Sequence, residues 1–371
     1  MRPRVVYWNN QPSPYLVDRL DRLAERGSVD IEAWFNVRAE PDRSWLVREA
    51  DWGFTYRYLH GTMRPPWVPA ELYAGEPPEV LVSLYAEPCF VLGQVVARRR
   101  GARTAIWVEP TFDTWVRRRA WKDALKRRVF AGTDAILTTG DDGRAFVGRY
   151  GADQAKVHTL NYFADYDRFA AGAEAARGER ERRRAELGLT GVTFAYVGRF
   201  WAGKGIDHLL DAYQELARVD EVNLLLVGDG VQEGQLRARV RDERIPGVVF
   251  TGFAQREELA GLYTAADAFV FPTLGDPYGQ VVGEAASCGL PIVSSSAAGE
   301  ISGRIEDGVS GFVVPPGNSA ALLERMRWLA RDPDLRARMG KEAASRTAGQ
   351  TLDRWCREFE TAVAAILGGA R

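Results

Sequence analysis

A chain of 371 residues is longer than a single hydrophobic core usually supports, and its length predicts two domains of similar size. Charged residues make up 27% of the chain, hydrophobic residues make up 46%, and the formal net charge is -1. This balance is that of an ordinary globular protein and gives no indication of a nucleic-acid partner.

The cysteines and the N-terminus indicate the compartment. The chain has an odd number of cysteines, namely Cys89, Cys288 and Cys356. They lie far apart and form no CxxC motif, as expected for free thiols in a reducing environment. The N-terminal residues run directly into a strand pattern without the apolar segment of a signal peptide, and no run reaches the length of a membrane span. We therefore expect a cytoplasmic protein that is at most peripheral to the inner membrane surface.

Apolar runs and helical patterns alternate through the first part of the chain. The sequence predicts strands at 4–8, 31–35, 80–84, 104–108 and 135–137, and helices at 15–25, 90–100, 116–130 and 142–150. Such alternation is typical of parallel strands joined by crossover helices. We expect a first doubly wound domain over residues 1–166, followed by a small, charged linker at 170–189.

A second alternating series begins after this stretch. It predicts strands at 193–197, 223–227, 248–251, 268–271, near 291 and at 311–314, with helices at 206–216, 232–242, 257–263 and 280–288. A second doubly wound domain is therefore expected over residues 167–351. The last apolar pattern, at 352–367, predicts one long helix near the C-terminus.

The segment that follows the predicted strand 268–271 has the pattern strand, loop, helix, strand. Its helix begins near Gly279, where the first backbone N–H groups favour an anion such as phosphate. Asp276 in the loop and Glu284 in the helix flank this position, and carboxylates readily accept hydrogen bonds from sugar hydroxyls. The alternative is structural, with Asp276 a loop or cap residue and Glu284 on a solvated helix face.

A second candidate site follows the strand predicted at 193–197. Gly198, Gly203 and Lys204 nearly match a phosphate-binding P-loop, but Gly205 stands where that loop needs a magnesium-binding hydroxyl. Arg199 and Lys204 on a glycine-rich turn can still clamp a diphosphate. The three histidines, His60, His158 and His208, are scattered and predict no metal site.

These segments resemble the signature of the family 4 retaining glycosyltransferases. The corresponding residues are Gly198-Arg199 with Lys204-Gly205, Asp276, Tyr278-Gly279, Glu284-Ala285 and Gly289-Leu290-Pro291. The family usually has Glu where this chain has Asp276. The resemblance implies an α/β protein of the GT-B type, in which two Rossmann-like parallel-sheet domains face each other across a cleft. It also implies that residues 352–371 pack back on the N-terminal, acceptor-binding domain.

The implied activity is metal-independent transfer of a sugar from a nucleotide-diphosphate sugar to a hydroxyl acceptor with retention, without a further cofactor. The resemblance places the pyrophosphate on Arg199, Lys204 and the helix N-terminus, the ribose on Glu284 and the sugar on Asp276. Phe253 is either a base contact or a buried aromatic residue. The complete set of predicted donor-binding residues is Gly198, Arg199, Lys204, Phe253, Asp276, Tyr278, Gly279, Gln280, Val281 and Glu284.

Other candidate residues lie in the N-terminal domain. Glu109 occupies a loop where the family often has a histidine, and with Asp276, Arg199 and Lys204 it completes the predicted catalytic set. An acceptor ligand or a helix cap is the alternative for Glu109. The acceptor is expected at Asn10, Ser13 and Tyr15 and at the loop 64–69.

A basic stretch at 115–128 has tryptophans at Trp115 and Trp121 and predicts either a membrane-docking helix or a solvated helix face. Two other functions are kept open. One is a magnesium- and ATP-dependent enzyme of the P-loop type. The other is an inactive sugar-nucleotide-binding or glycan-binding protein with the same fold.

Overall fold

The computed structural model describes residues 2–39, 48–59, 68–73, 75–85, 87–109 and 120–369. The chain divides into two compact units. The first comprises Met1–Pro110, Arg117–Tyr162 and Leu352–Arg371, and the second comprises Thr111–Val116 and Phe163–Thr351. Among the residues described, no helix is both long and apolar enough to cross a membrane.

The first unit contains a parallel sheet covered by helices. Its strands are β1 (Arg4–Asn9), β2 (Asp30–Phe35), β3 (Thr55–Tyr58), β4 (Val80–Ser83), β5 (Arg103–Val108), β6 (Ala135–Thr138) and β7 (Val157–Thr159). Its helices are α1 (Pro14–Arg26), α2 (Pro88–Arg99), α3 (Ala120–Gly132), α4 (Gly140–Arg149) and α14 (Leu352–Gly368). Within the described ranges the strand order is β3-β2-β1-β4-β5-β6-β7, and all neighbouring strands are parallel.

The C-terminal helix α14 lies in this first unit and packs against α1. The two helices bury apolar faces, to which Leu20 of α1 and Phe359 of α14 contribute with no exposed surface. Arg22 donates to Asp353 at 2.7 Å, and Arg26 donates to Glu360 at 2.7 Å. Apolar burial and these bidentate ion pairs together hold the last helix on a segment more than three hundred residues earlier.

The second unit contains another parallel sheet. Its strands are β8 (Val192–Val197), β9 (Val222–Val227), β10 (Val248–Gly252), β11 (Ala268–Phe271), β12 (Ile292–Ser295) and β13 (Gly311–Val314). Its helices are α5 (Tyr166–Ala176), α6 (Arg180–Leu187), α7 (Ile206–Ala217), α8 (Glu233–Asp242), α9 (Arg256–Ala265), α10 (Gln280–Ser287), α11 (Ile301–Arg304), α12 (Ser319–Arg331) and α13 (Pro333–Thr347). The described strands run in the order β10-β9-β8-β11-β12-β13, all parallel.

Two expectations from the sequence are corrected here. Residues 170–189 are not a linker, because they lie largely in α5 and α6, which pack against α9. Their high charge reflects solvated helix faces, on which Arg182 pairs with Glu179 and Glu186. The edge strands β3 and β7 of the first sheet were not predicted, because neither contains a run of buried apolar residues.

The order of the second sheet determines where a ligand site can form. From β8 the chain proceeds to β9 on one side, whereas β11 pairs with β8 on the other side, with Ala268 beside Phe194. This reversal leaves a crevice at the carboxyl ends of β8 and β11. The loops that follow these two strands therefore meet at one edge of the sheet.

Candidate functional site

The loop after β8 is held against the loop after β11 by close backbone packing. Gly205 adopts a left-handed φ of 67°, and a Cβ atom there would lie 2.2 Å from the carbonyl oxygen of Pro272. Leu274 N donates to the carbonyl of Gly203 at 2.9 Å, and the Thr273 hydroxyl donates to the same oxygen at 3.1 Å. Only glycine fits position 205, and the contact brings Lys204 beside the loop that carries Asp276.

Lys204 and Asp276 form an ion pair. Their side chains are 16% and 13% exposed, and the Lys204 ammonium lies 5.5 Å from the centroid of the Phe271 ring. The other carboxylate oxygen of Asp276 accepts the backbone N–H of Tyr278 at 2.9 Å. Asp276 is thus a loop-forming residue and also the partner of the predicted phosphate-binding lysine, a pairing that the sequence did not predict.

Gly198 and Arg199 begin the same loop. Gly198 has a φ of 148°, and the carbonyl of Arg199 accepts the Tyr196 hydroxyl at 3.0 Å. Both residues are partly exposed. Arg199 lies in the same loop as Lys204, at the edge of the sheet. Burial raises the pKa of Tyr196 well above its ordinary range, which keeps this hydroxyl a neutral donor.

Helix α10 begins immediately beyond Asp276. Gly279 is its N-cap, with a φ of 69°, and a Cβ atom there would lie 2.6 Å from the ring of Phe271. Gln280 and Val281 follow and are partly exposed, whereas Tyr278 is 5% exposed. The first turn of the helix, with the N–H groups expected to bind an anion, therefore lies next to the Lys204–Asp276 pair.

Arg304 is a site residue that sequence reasoning missed. It ends α11 and is 9% exposed. One guanidinium nitrogen donates to the carbonyl of Gly279 at 3.0 Å, and the other terminal nitrogen donates to the carbonyl of Tyr278. No local pattern marks Arg304, because only the tertiary fold brings α11 to the start of α10.

Glu284 is fully buried and accepts the Tyr263 hydroxyl at 2.9 Å. The alternative of a solvated helix face is therefore wrong. The ribose contact of Glu284 stays a prediction, and no ribose hydroxyl reaches this carboxylate while it is 0% exposed. The neighbouring Gly283 packs against Tyr166, because a Cβ atom at position 283 would lie 2.2 Å from the Tyr166 hydroxyl.

Phe253 follows the edge strand β10, two strands away from β8. It is 39% exposed, so the alternative of a buried aromatic residue is wrong. Its contact with a nucleotide base stays a prediction.

The candidates in the first unit lie beyond the carboxyl ends of β1 and β5. The Ser13 hydroxyl accepts the N–H of Leu16 at 3.3 Å and caps α1, where Tyr15 forms part of the first turn. Asn10 accepts the side-chain amide of Asn36 at 3.4 Å. Glu109 accepts the indole N–H of Trp107 at 3.4 Å. Residues 64–67 of the expected acceptor loop lie outside the described residues.

Burial, together with the negative charge of Glu109, raises the pKa of Tyr162 to about 12. Glu109 therefore lies close to a partly buried tyrosine in the first unit. In the part of the chain that the structure describes, no group of three or more His, Cys, Asp and Glu residues could hold a metal ion.

A solved structure shares the architecture of this chain. The chain is similar to HepE of Anabaena in its complex with UDP, with 14% sequence identity and a TM-score of 0.77 over 96% of this chain and 98% of that chain. Each unit has the Rossmann-like strand order, so the fold class is GT-B, as the sequence predicted.

Residues 179–346 match the family model described as Glycosyl transferases group 1. The family resemblance predicted from the sequence is confirmed.

Curated relatives match about three-fifths of the chain. A D-inositol 3-phosphate glycosyltransferase of Frankia alni is 32% identical over 238 residues, covering 60% of this chain and 57% of the relative. An alpha-D-kanosaminyltransferase of Streptomyces kanamyceticus is 30% identical over 223 residues, covering 59% of this chain and 57% of the relative. The chain spans about half the length of the curated relatives it matches.

Proposed function

We propose that the protein transfers a glycosyl group from a nucleotide-diphosphate sugar to a hydroxyl acceptor. The observation that carries this proposal is the convergence of Lys204, Asp276 and the N-terminus of α10 at the switch point of the second sheet. A cation and the N–H groups of a helix N-terminus suit a diphosphate, and an adjacent carboxylate suits sugar hydroxyls. The match of residues 179–346 to the Glycosyl transferases group 1 family model supports the same activity.

Donor binding in this proposal replaces the Lys204–Asp276 ion pair. The diphosphate binds the ammonium of Lys204 and the guanidinium of Arg199, while a sugar hydroxyl donates a hydrogen bond to Asp276. Both charges keep a partner, so the exchange leaves no buried charge unpaired. The same cations stabilise the negative charge that develops on the leaving phosphate.

We propose retention at the anomeric carbon without a metal. The bond between that carbon and the phosphate oxygen breaks, the acceptor oxygen bonds to the same carbon, and the acceptor proton moves to the leaving phosphate. Such a reaction depends mainly on positioning and on charge stabilisation. The solved complex of HepE with UDP makes a uridine nucleotide the first donor to test.

The acceptor is proposed to bind at Asn10, Tyr15 and Glu109 of the first unit. All three lie beyond the carboxyl ends of parallel strands, where ligands of such sheets usually bind. Ser13 is a weaker candidate, because its hydroxyl already caps α1.

A thermal-shift panel tests the proposal directly. UDP, GDP, dTDP and ADP, the corresponding sugar nucleotides and ATP are each added with EDTA and with magnesium. A ligand at a hundred times its dissociation constant adds about 2.7 kcal/mol to the folded state, which raises the unfolding temperature by a few degrees. We expect one nucleoside diphosphate to give a shift that survives EDTA and is smaller in Lys204→Ala.

The other outcomes identify the alternatives. A shift only with ATP and magnesium would overturn the proposal in favour of a P-loop enzyme. A shift with a sugar nucleotide, but neither transfer nor slow donor hydrolysis, would favour a sugar-nucleotide-binding protein without activity.

We also propose a peripheral contact between α3 and an anionic membrane. Trp121 and Leu125 lie one turn apart and are 60% and 48% exposed, and the exposed cations on the helix include Lys122, Arg127 and Arg128. A basic helix with exposed tryptophan suits an anionic lipid surface. Trp115 and Arg117–Arg119 of the predicted helix lie outside the described residues.

Co-sedimentation with vesicles tests this contact. We expect binding to phosphatidylserine-containing vesicles, weaker binding by Trp121→Ala, and no change in the control Trp328→Ala, whose side chain is 42% exposed in the second unit. Absence of binding to anionic vesicles would identify α3 as a solvated helix.

A further inference from the structure

Arg304 is a buried cation at the start of α10. Its guanidinium donates to the carbonyls of Tyr278 and Gly279, and its central carbon lies 4.1 Å from the centroid of the Tyr278 ring. Within the described part of the chain, no carboxylate forms an ion pair with Arg304. A cation that is 9% exposed and bound only to carbonyl dipoles and an aromatic face is poorly compensated.

The two accepting carbonyls determine the direction of the next N–H groups. In a trans peptide, the C=O of one residue and the N–H of the following residue point in opposite directions. By holding the oxygens of Tyr278 and Gly279, Arg304 therefore turns the N–H groups of Gly279 and Gln280 away from itself. Within the described chain, the N–H groups of Gly279 and Val281 donate to no protein atom.

Side chains from outside α10 hold the backbone at Tyr278 and Gly279 in place. Gly279 has a φ of 69°, and its neighbour Tyr278 donates its own N–H to Asp276 at 2.9 Å. Asp276 on one side and Arg304 on the other thus fix the orientation of the consecutive peptides that enter α10. Donors that are already oriented bind an anion without paying for reorganisation.

We propose that Arg304 is a positioning residue for the donor diphosphate, an inference that rests on the proposed function. Arg304 aims the first N–H groups of α10 at the diphosphate, and its charge adds to the positive end of the helix dipole. The diphosphate brings negative charge near a buried cation that pairs with no carboxylate of the described residues. Arg304 would thereby contribute to binding of the phosphate groups and not of the nucleoside.

A second buried arginine shows what a purely structural role looks like in this protein. Arg184 is also 9% exposed, and it donates to the carbonyls of Gly191 at 2.7 Å and Ala265 at 2.9 Å. Unlike Arg304, Arg184 also pairs with a carboxylate, that of Asp267, at 3.2 Å. Arg184 is therefore a matched control for the loss of a buried guanidinium.

The experiment compares UDP with uridine, which has no phosphate groups, by calorimetric titration of the wild type, Arg304→Lys, Arg304→Gln and Arg184→Lys. We expect the dissociation constant for UDP to rise about 10- to 100-fold in both Arg304 variants, because the N–H groups that Arg304 orients would lose hydrogen bonds to a charged ligand, while that for uridine stays unchanged. Arg184→Lys should lower the unfolding temperature without changing the ratio of the two constants. GDP with guanosine, dTDP with thymidine or ADP with adenosine replaces the pair if one of these diphosphates gives the thermal shift.

Activity provides a second readout that a structural role would not produce. In Arg304→Lys the KM for the sugar nucleotide should rise, and millimolar guanidinium should partly restore binding to Arg304→Gln. Dissociation constants for UDP within twofold of the wild type, or equal losses for UDP and uridine, would overturn the inference alone. A wild type that binds none of the four nucleoside diphosphates would overturn the proposed function and this inference together.

Discussion

Replacing Lys204 by alanine tests the proposed donor site most directly. The Lys204 side chain is 16% exposed and its ammonium lies between Asp276 and the face of Phe271, so its charge is only weakly screened by water. Removing one such charge-stabilising donor typically costs about 2 to 4 kcal/mol in the transition state. We therefore expect kcat/KM for the sugar nucleotide to fall about 30- to 900-fold.

The substitution should also affect stability. Asp276 is 13% exposed and loses its cation in the variant, although it keeps the N–H of Tyr278. A partly buried charge left without its partner costs on the order of 1 kcal/mol, which lowers the unfolding temperature by a few degrees. The loss of activity should exceed what this small destabilisation explains, because the variant remains folded at the assay temperature.

The assay measures release of the nucleoside diphosphate with saturating donor and with donor below KM. Lys204→Met preserves the apolar stem over Phe271 and should lose as much activity as Lys204→Ala, which isolates the effect of the charge. Lys341→Ala, an exposed lysine on α13, is the matched control and should keep wild-type activity. Activity within threefold of the wild type in Lys204→Ala would refute the assignment of Lys204 to the diphosphate.

Three further substitutions or conditions test neighbouring parts of the argument. Asp276→Asn keeps the shape of the side chain but removes its charge, and we expect turnover at least about tenfold lower; unchanged turnover would leave Asp276 as a loop residue only. Gly205→Ala places a Cβ atom 2.2 Å from the Pro272 carbonyl at a φ of 67°, so chemical denaturation should show a loss of about 1 to 3 kcal/mol. The hydrogen bond and charge of Arg22 lower the pKa of Asp353 below 3.8. The stabilisation of the folded state by the Arg22–Asp353 ion pair is therefore present above pH 4 and lost on acidification. Below pH 4 the unfolding temperature should fall more steeply in the wild type than in Asp353→Asn.

The fold class was predictable from the sequence because its signal is local and repeated. Apolar runs that alternate with amphipathic segments predicted nearly every strand that has buried neighbours on both sides, including β11, whose predicted and observed limits coincide. The same reasoning missed the two edge strands of the first sheet, β3 and β7, although it predicted the edge strands β10 and β13 of the second. The strand β3 carries three exposed residues out of four, and the charged helices α5 and α6 were interpreted as a linker.

The sequence by itself determined the chemical types at the candidate site, namely a glycine-rich turn with Arg199 and Lys204 and a helix start preceded by Asp276. Glycines and charged loop residues are visible locally because they stand at the ends of predictable strands. Only the tertiary structure decided which of these side chains meet. Pairing of β8 with β11 brings Lys204 to Asp276 across 72 residues, and packing of α11 brings Arg304 to the carbonyl of Gly279. These contacts depend on strand order and on burial, which are properties of the assembled sheet and leave no periodic trace in the sequence.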